Sequence, residues 1–415
     1  MSAHHEETVT PETAASEPAA TTIALPAPVV SLRRISGLVA LAAGAATLTG
    51  YSNPQQLVQS YLPAFLLWFG VSIGCLSMLM IQHQSGGHWG ILLRRLFEAG
   101  ARNIYYLPLF FLPILLGMAN LYPWADPVRI AADHHLEEVV HKKGAYLNVP
   151  FFTGRAVFYF LFWALMARTL TALSWKYDET GDREYAEKMR RMSGWGLLAQ
   201  ALVITFAGVD WGMSLDPHWY STIWGILFMV GQALSAWCVC IMLMSRLYTH
   251  APFTRVASST LFHDLGKFLF AFVMLWGYVN LSQFLIIWSG NLPEETTWYL
   301  DRSKGGWRQL TYVLVGLHFF LPFFTLLSAG LKKNASRLAV VAGLLFTLRF
   351  VDLFWNIAPN FKHEHFSVHP FDLLMPVAVG GAWLYLFARQ LEKAPLLVKH
   401  DPQVKEMEEL AAHAH

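Results

Sequence analysis

Apolar stretches of about 20 residues recur along the chain, each cut off by a short polar or Gly- and Pro-containing segment. Wound as an α-helix, a stretch of that length crosses the hydrocarbon core of a bilayer. The pattern predicts ten spans, at roughly 34–51, 60–82, 104–123, 150–173, 194–214, 219–246, 263–289, 309–329, 337–358 and 371–391. The first is short and rich in Ala and Gly. Ahead of it, "MSAHHEETVTPETAASEPAATTIALPAPVV" has no basic segment followed by an apolar core, so it is no secretory signal. Residues 1–31 read as a disordered tail, 32–395 as the transmembrane domain, and 396–415 as a polar tail or short surface helix.

Lys and Arg set the direction. With the N-terminus inside, 19 of them fall at inner ends and seven in outer loops, and Arg155, Arg168, Lys267 and Arg349 lie within spans. That asymmetry over short loops predicts both ends on the cytoplasmic side. Only the outer loops 124–149 and 290–308 have any length. The first is expected to hold a surface helix, because Ile130, Leu136, Val139 and Val140 fall near one face.

Composition agrees with a membrane protein: 55% of the 415 residues are hydrophobic and 14% are charged, against about a quarter charged in soluble domains. A net charge of +2 and the absence of a basic tract argue against nucleic acid as a partner. Cys75, Cys238 and Cys240 lie inside apolar runs and read as buried structural thiols.

The charges inside the spans are the candidate chemistry. On span seven, Asp264, Lys267, Ala271, Met274, Tyr278 and Ser282 share one face at about 100° per residue, with His263 at its edge. Ionisable groups in spans normally face a bundle interior or an aqueous cavity, so the stripe reads as an inner proton entrance. Glu98, before span three, adds a carboxylate on the same side. The other reading is that Lys267 snorkels to the surface and pairs with Asp264. On span nine, Arg349, Asp352 and Asn356 share a face. An unpaired Arg at that depth is costly, so an ion pair is required, as structural brace or as relay. His318, midway along span eight, is a core histidine or a member of that relay. Nearer the outer surface lie Arg155, Asp210 and Asp372, together with "DWGMSLDPHWYSTIWG" (210–225), which holds Asp216 and His218. These read as a proton exit or quinone head-group pocket, with Arg155 tuning the acids, or as an aromatic belt with local ion pairs.

Only His318 among the histidines is deep, so a bis-histidine haem has no ligands. There is no CxxCH, no four-cysteine set, no Walker A string and no Rossmann fingerprint. Any redox cofactors are therefore expected in partners. "LFEAGARNIYYLPLFF" from 96 echoes "LFHDLGKFLFAFVMLW" from 261, which makes 60–214 and 219–358 candidate same-sense repeats.

The strings "RRLFEAGAR" (94–102), "DWGMSLDPHWYSTIWG" (210–225) and "FHDLGKFLFAFVMLWGYVNLSQFLIIWSGNLPEETTWYLDR" (262–302) resemble the ActF-type subunit of bacterial alternative complex III. That family is related to the NrfD-like membrane subunits of polysulfide reductases, and the resemblance covers roughly 34–395. It implies two four-helix bundles plus flanking helices, in a quinol:cytochrome c oxidoreductase of the bacterial cytoplasmic membrane. The implied partners are a homologous quinol-binding membrane subunit, an Fe–S protein, multihaem cytochromes c and a haem–copper oxidase. Quinol, haem c and Fe–S clusters would sit in those partners, and this chain would support proton movement and assembly. The family's second string usually carries Glu where this sequence has Asp216, a shorter arm. Three alternatives stand beside it: a quinol-binding subunit in its own right, a pure scaffold, and a free-standing transporter.

Overall fold

The computed structural model describes residues 26–362 and 365–412. Ten helices are long and apolar enough to cross a membrane: Ala27–Gly50, Pro54–Ser85, His88–Leu116, Val149–Thr180, Arg183–Leu215, Trp224–Leu247, Ser259–Gly290, Trp307–Leu327, Ala335–Asn360 and Pro370–Leu391. They are spans one to ten below. No strand occurs among the described residues. This is an all-α, multi-pass membrane protein. Most of the segment expected to be disordered lies outside the described residues, but its last residues are helical, since span one begins at Ala27.

Local chemistry places the helix starts. Asn53, Asn148, Asp182, Ser258 and Asn334 each accept a backbone N–H from the first turn of spans two, four, five, seven and nine, relieving donors that a helix N-terminus leaves free. Pro54 and Pro370 open spans two and ten, where a missing N–H costs nothing. Gly181, at φ 69°, turns the chain between spans four and five.

Spans two, four and seven run to 32 residues each, about 48 Å at 1.5 Å per residue, well beyond the roughly 30 Å hydrocarbon core. Span three departs most from the apolar pattern. It begins at His88, not 104, and carries Arg94, Arg95, Glu98 and Arg102 as buried residues. The hydropathy boundary marks where hydrocarbon begins, while the helix continues past it because those charges find partners inside the protein. The outer loop holds two short helices, Pro127–Ala132 and His134–Lys143, in place of one. Asp133 caps the second.

Contacts run round spans two, three, four and five, and again round six, seven, eight and nine; spans two and six join the sets. Span two is the most enclosed, with 89% of its apolar window buried, against 17% for span one. Span one lies along span ten. There Arg33 donates to both oxygens of Glu392, at 2.7 and 2.9 Å. That pair marks the basic end of the bundle, where span one starts and span ten finishes. The segment expected to be a tail folds back across this end. Leu396, Leu397, Val398, Val404 and Met407 are buried, the helix Pro402–Ala412 follows, and Arg94 pairs with Asp401 at 3.0 Å.

Spans two and six cross closely because Gly74 has no side chain. A Cβ there would collide with the backbone carbonyl of Gln232 and come within 2.7 Å of the Ala236 Cβ. Gly74→Val should therefore lower stability by about 1–3 kcal/mol. Gly44→Ala on span one, where nothing lies within 4 Å, should leave it unchanged. Thermal melts of the detergent-solubilised protein compare the two.

Candidate functional site

Span nine brings Arg349 and Asp352 together, one turn apart. The guanidinium Nη1 donates to Asp352 Oδ2 in a close ion pair, and both residues are buried. Trp276 on span seven donates its indole N–H to the same oxygen at 3.1 Å, and Asn356 donates to Oδ1 at 3.1 Å. Gly231 on span six makes room for the guanidinium, since a Cβ there would fall on it and displace Arg349 from this position. A buried pair like this adds little net stability, but removing one partner strands the other charge.

His318 stands edge-on to Trp276, with ring centroids 4.1 Å apart and planes at 86°. Neither ring nitrogen has a hydrogen-bond partner among the described residues, nor does Arg349 Nε. Around it span eight is wound as a π-helix over Leu314–Phe320. Pro322 supplies no N–H for the His318 carbonyl and its ring crowds that oxygen; a wider turn relieves both. Beside the ion pair, Trp224, Trp276, Asn280, Arg349, Asp352 and Asn356 wall a cavity of about 20 Å³. That volume fits a water molecule, and on a wall that Leu227, Phe228, Leu353 and Ile357 make largely apolar, Asn280, Arg349, Asp352 and Asn356 supply its polar partners. The sequence placed these charges on one face; Trp276 and Gly231 carry no local signal of their role, whereas Pro322 marks the π-turn.

At the opposite end from Arg33, Arg155 grips Asp210 through two bonds of 2.8 and 2.9 Å, and Tyr159 donates to the same carboxylate at 2.8 Å. The guanidinium also lies 3.8 Å from the Tyr146 ring centre. With these three bonds Asp210 has most of its acceptor sites occupied, two of them by one bidentate guanidinium. Asp216 accepts the backbone N–H of His218 at 3.0 Å, and the His218 ring stacks on His135. Asp372 belongs to a different cluster, bonded to Ser60 at 2.5 Å, Lys362 at 2.7 Å and the His369 N–H at 2.8 Å. Asp210, Asp216 and Asp372 share no partner among the described residues. They were expected to form one exit; instead Asp210 ties span five to span four, Asp372 ties span ten to span two and Lys362, and Asp216 holds its own turn.

Arg302, one of the seven charges counted in outer loops, is buried and donates to the carbonyls of Trp298, Trp355 and Asn356. Its guanidinium lies 3.5 Å from the Trp298 ring centre. Burial pushes its pKa down, and Asp216 and Asp301 act against that shift. It thereby satisfies carbonyls at the outer end of span nine, just beyond Asp352, under a roof of Trp219, Trp224, Trp298 and Trp355.

The span-seven stripe requires a correction. Lys267 and Ala271 are exposed, as are Met274 at 38% and Tyr278 at 69%. The buried face is Leu265, Leu269, Val273, Trp276 and Gln283. Asp264 and Lys267 pair at 2.9 Å on the outside of the bundle, and His263 is half-buried beside them. Large apolar residues took the interior positions, so the charges lie at the surface near the basic end, where Lys267 can snorkel. Glu98 is fully buried, bonded to Arg95 at 2.5 Å and to the Ser174 hydroxyl at 2.6 Å. Arg95 also pairs closely with Asp178, and Asp178 accepts the Lys399 N–H of the returning C-terminal segment. Glu98 is thus closed over and has no hydrogen bond to the span-seven residues. Arg95, Ser174 and Asp178 completed this network unseen in the sequence, because Arg95 and Asp178 lie outside the apolar windows.

No protein-family model matches the chain, and no curated protein matches it.

Asp352→Asn should strand Arg349 and lower stability by about 3–5 kcal/mol; Arg349→Met combined with Asp352→Leu should recover most of the loss. His318→Phe removes two buried, unbonded nitrogens and should hold or raise stability. Thermal denaturation of the three variants checks all of these.

Proposed function

We propose that this chain is a proton-handling membrane subunit of a bacterial respiratory quinol oxidoreductase, of the ActF type, in the cytoplasmic membrane. The resemblance of three long strings supports the complex, and with it a homologous quinol-binding subunit, an Fe–S protein and multihaem cytochromes c as partners holding the cofactors. One observation supports proton handling: a deep carboxylate, Asp352, paired with Arg349, sits beside a water-sized cavity and near a histidine with no bonded ring nitrogen.

In this reading Asp352 is the group that gains and loses the proton. As a carboxylate it is held by Arg349, Trp276 and Asn356. Protonation weakens its attraction to Arg349, which lets the guanidinium shift its hydrogen bonds. His318, edge-on to Trp276, brings ring nitrogens with no partner among the described residues to the same place. The cavity lies toward the outer end, since Asn280, Asn356 and Trp224 wall it, and in this reading the water it can hold is the proton partner of Asp352 on that side. Span seven no longer supplies the inner entrance, and Glu98 lies outside the relay.

The scaffold reading draws support from the closed pairs Arg95–Glu98 and Arg155–Asp210. Purified complex in proteoliposomes separates the two. Asp352→Asn, read where the variant still assembles into an active complex, should lower the protons moved per electron while quinol oxidation continues. An unchanged ratio would leave a scaffold, and a chain that purifies without haem c and Fe–S partners would overturn the complex itself.

A further inference from the structure

The loop between spans seven and eight carries the helix Pro293–Asp301, followed by Arg302. Of residues 293–302 only Trp298 and Arg302 are buried. Trp298 stacks on Trp219, with ring centres 4.9 Å apart and planes at 16°. It meets Trp224 and Trp355 edge-on, at 6.2 and 5.3 Å. Trp224 is itself a wall of the Asp352 cavity, so a single indole separates this loop helix from that space.

Arg302 holds the helix in place. The regular winding of span nine stops at Ile357, and Pro359 has no N–H for the Trp355 carbonyl four residues before it. The last carbonyls therefore need donors from outside the helix. Arg302 supplies them, at 3.2 Å to Trp355 and 2.6 Å to Asn356, and also holds the Trp298 carbonyl at 2.9 Å. Asn356 in turn donates to Asp352. Carbonyls and an indole face hold this guanidinium, so its withdrawal exchanges protein dipoles for water, and water then satisfies the freed carbonyls. The segment is set off at both ends by left-handed backbone, at Asn291 (φ 48°) after span seven and at Gly305 and Gly306 (φ 54° and 99°) before span eight. Residues at the ends of elements are where hinged segments turn.

We propose that Pro293–Arg302 is a lid over the outer end of the Asp352 cavity, latched by Arg302 to the last turn of span nine, and that release of the latch admits outer water. That this water carries the proton of Asp352 rests on the reading above; the lid itself does not.

The test places one cysteine in the cavity wall of the purified complex in proteoliposomes. Asn280→Cys removes a bond only to its own helix, at the Trp276 carbonyl, and the native Cys75, Cys238 and Cys240 are buried. A small membrane-impermeant thiol reagent is added on the side of the outer loops. Labelling should be slow with Arg302 in place and about tenfold faster with Arg302→Gln, the loss of one charge-assisted contact. Arg302→Lys should gain less, and it carries the comparison where Arg302→Gln does not assemble. Lys304→Gln removes an equal charge from the same loop and should change nothing. Fast labelling with Arg302 intact, no gain in the Arg302 variants, or an equal gain in Lys304→Gln would each overturn the latch. Unchanged labelling beside a lowered proton ratio in Asp352→Asn removes the latch alone. Faster labelling beside an unchanged ratio supports the lid and removes the proton reading.

Discussion

A charge removed from water must find an opposite charge or an array of dipoles, and this requirement shapes the interior. Arg349 takes Asp352, Arg155 takes Asp210, Arg95 takes Glu98 and Asp178, and Lys362 takes Asp372. Arg302, with no carboxylate, takes three carbonyls and an indole face. Most of these pairs join two elements, so they fix how helices meet as well as neutralising charge. Their net contribution to stability is small, since desolvation offsets attraction. Their effect is on geometry.

The pairs differ in what surrounds them. Asp210 is held by Arg155 and Tyr159, and Glu98 is sealed under the returning C-terminal segment. Asp352 accepts as many hydrogen bonds as Asp210, but it borders the small cavity described, under an aromatic cluster. A carboxylate beside a water-sized space has a proton partner at hand. That difference puts the proposed proton chemistry on span nine, and not on the surface charges of span seven.

Much of the fold was legible because bilayer crossing imposes a length and an apolar composition that few other structures need. Each predicted span overlaps an observed one. Span three shows where that reading stops: hydropathy reports contact with hydrocarbon, and a helix paired within protein continues past it. On span seven the periodicity correctly grouped Asp264, Lys267 and Tyr278 on one face, yet could not say which face was inside. Both faces are apolar enough, and Trp276 and Leu269 took the interior. The Arg349–Asp352 pair was readable from spacing and cost alone. Its indole donor and the glycine opposite were not, because they depend on spans that are distant in sequence; the π-turn had a local mark in Pro322, four residues after His318.

The central claim is that Asp352 changes protonation while the complex turns over. Infrared difference spectroscopy of the purified complex, triggered by quinol, tests it directly. A protonated-carboxyl band that appears on turnover and is lost in Asp352→Asn is the predicted result. The same band persisting in the variant, or no carboxyl signal in an active wild-type complex, would contradict it.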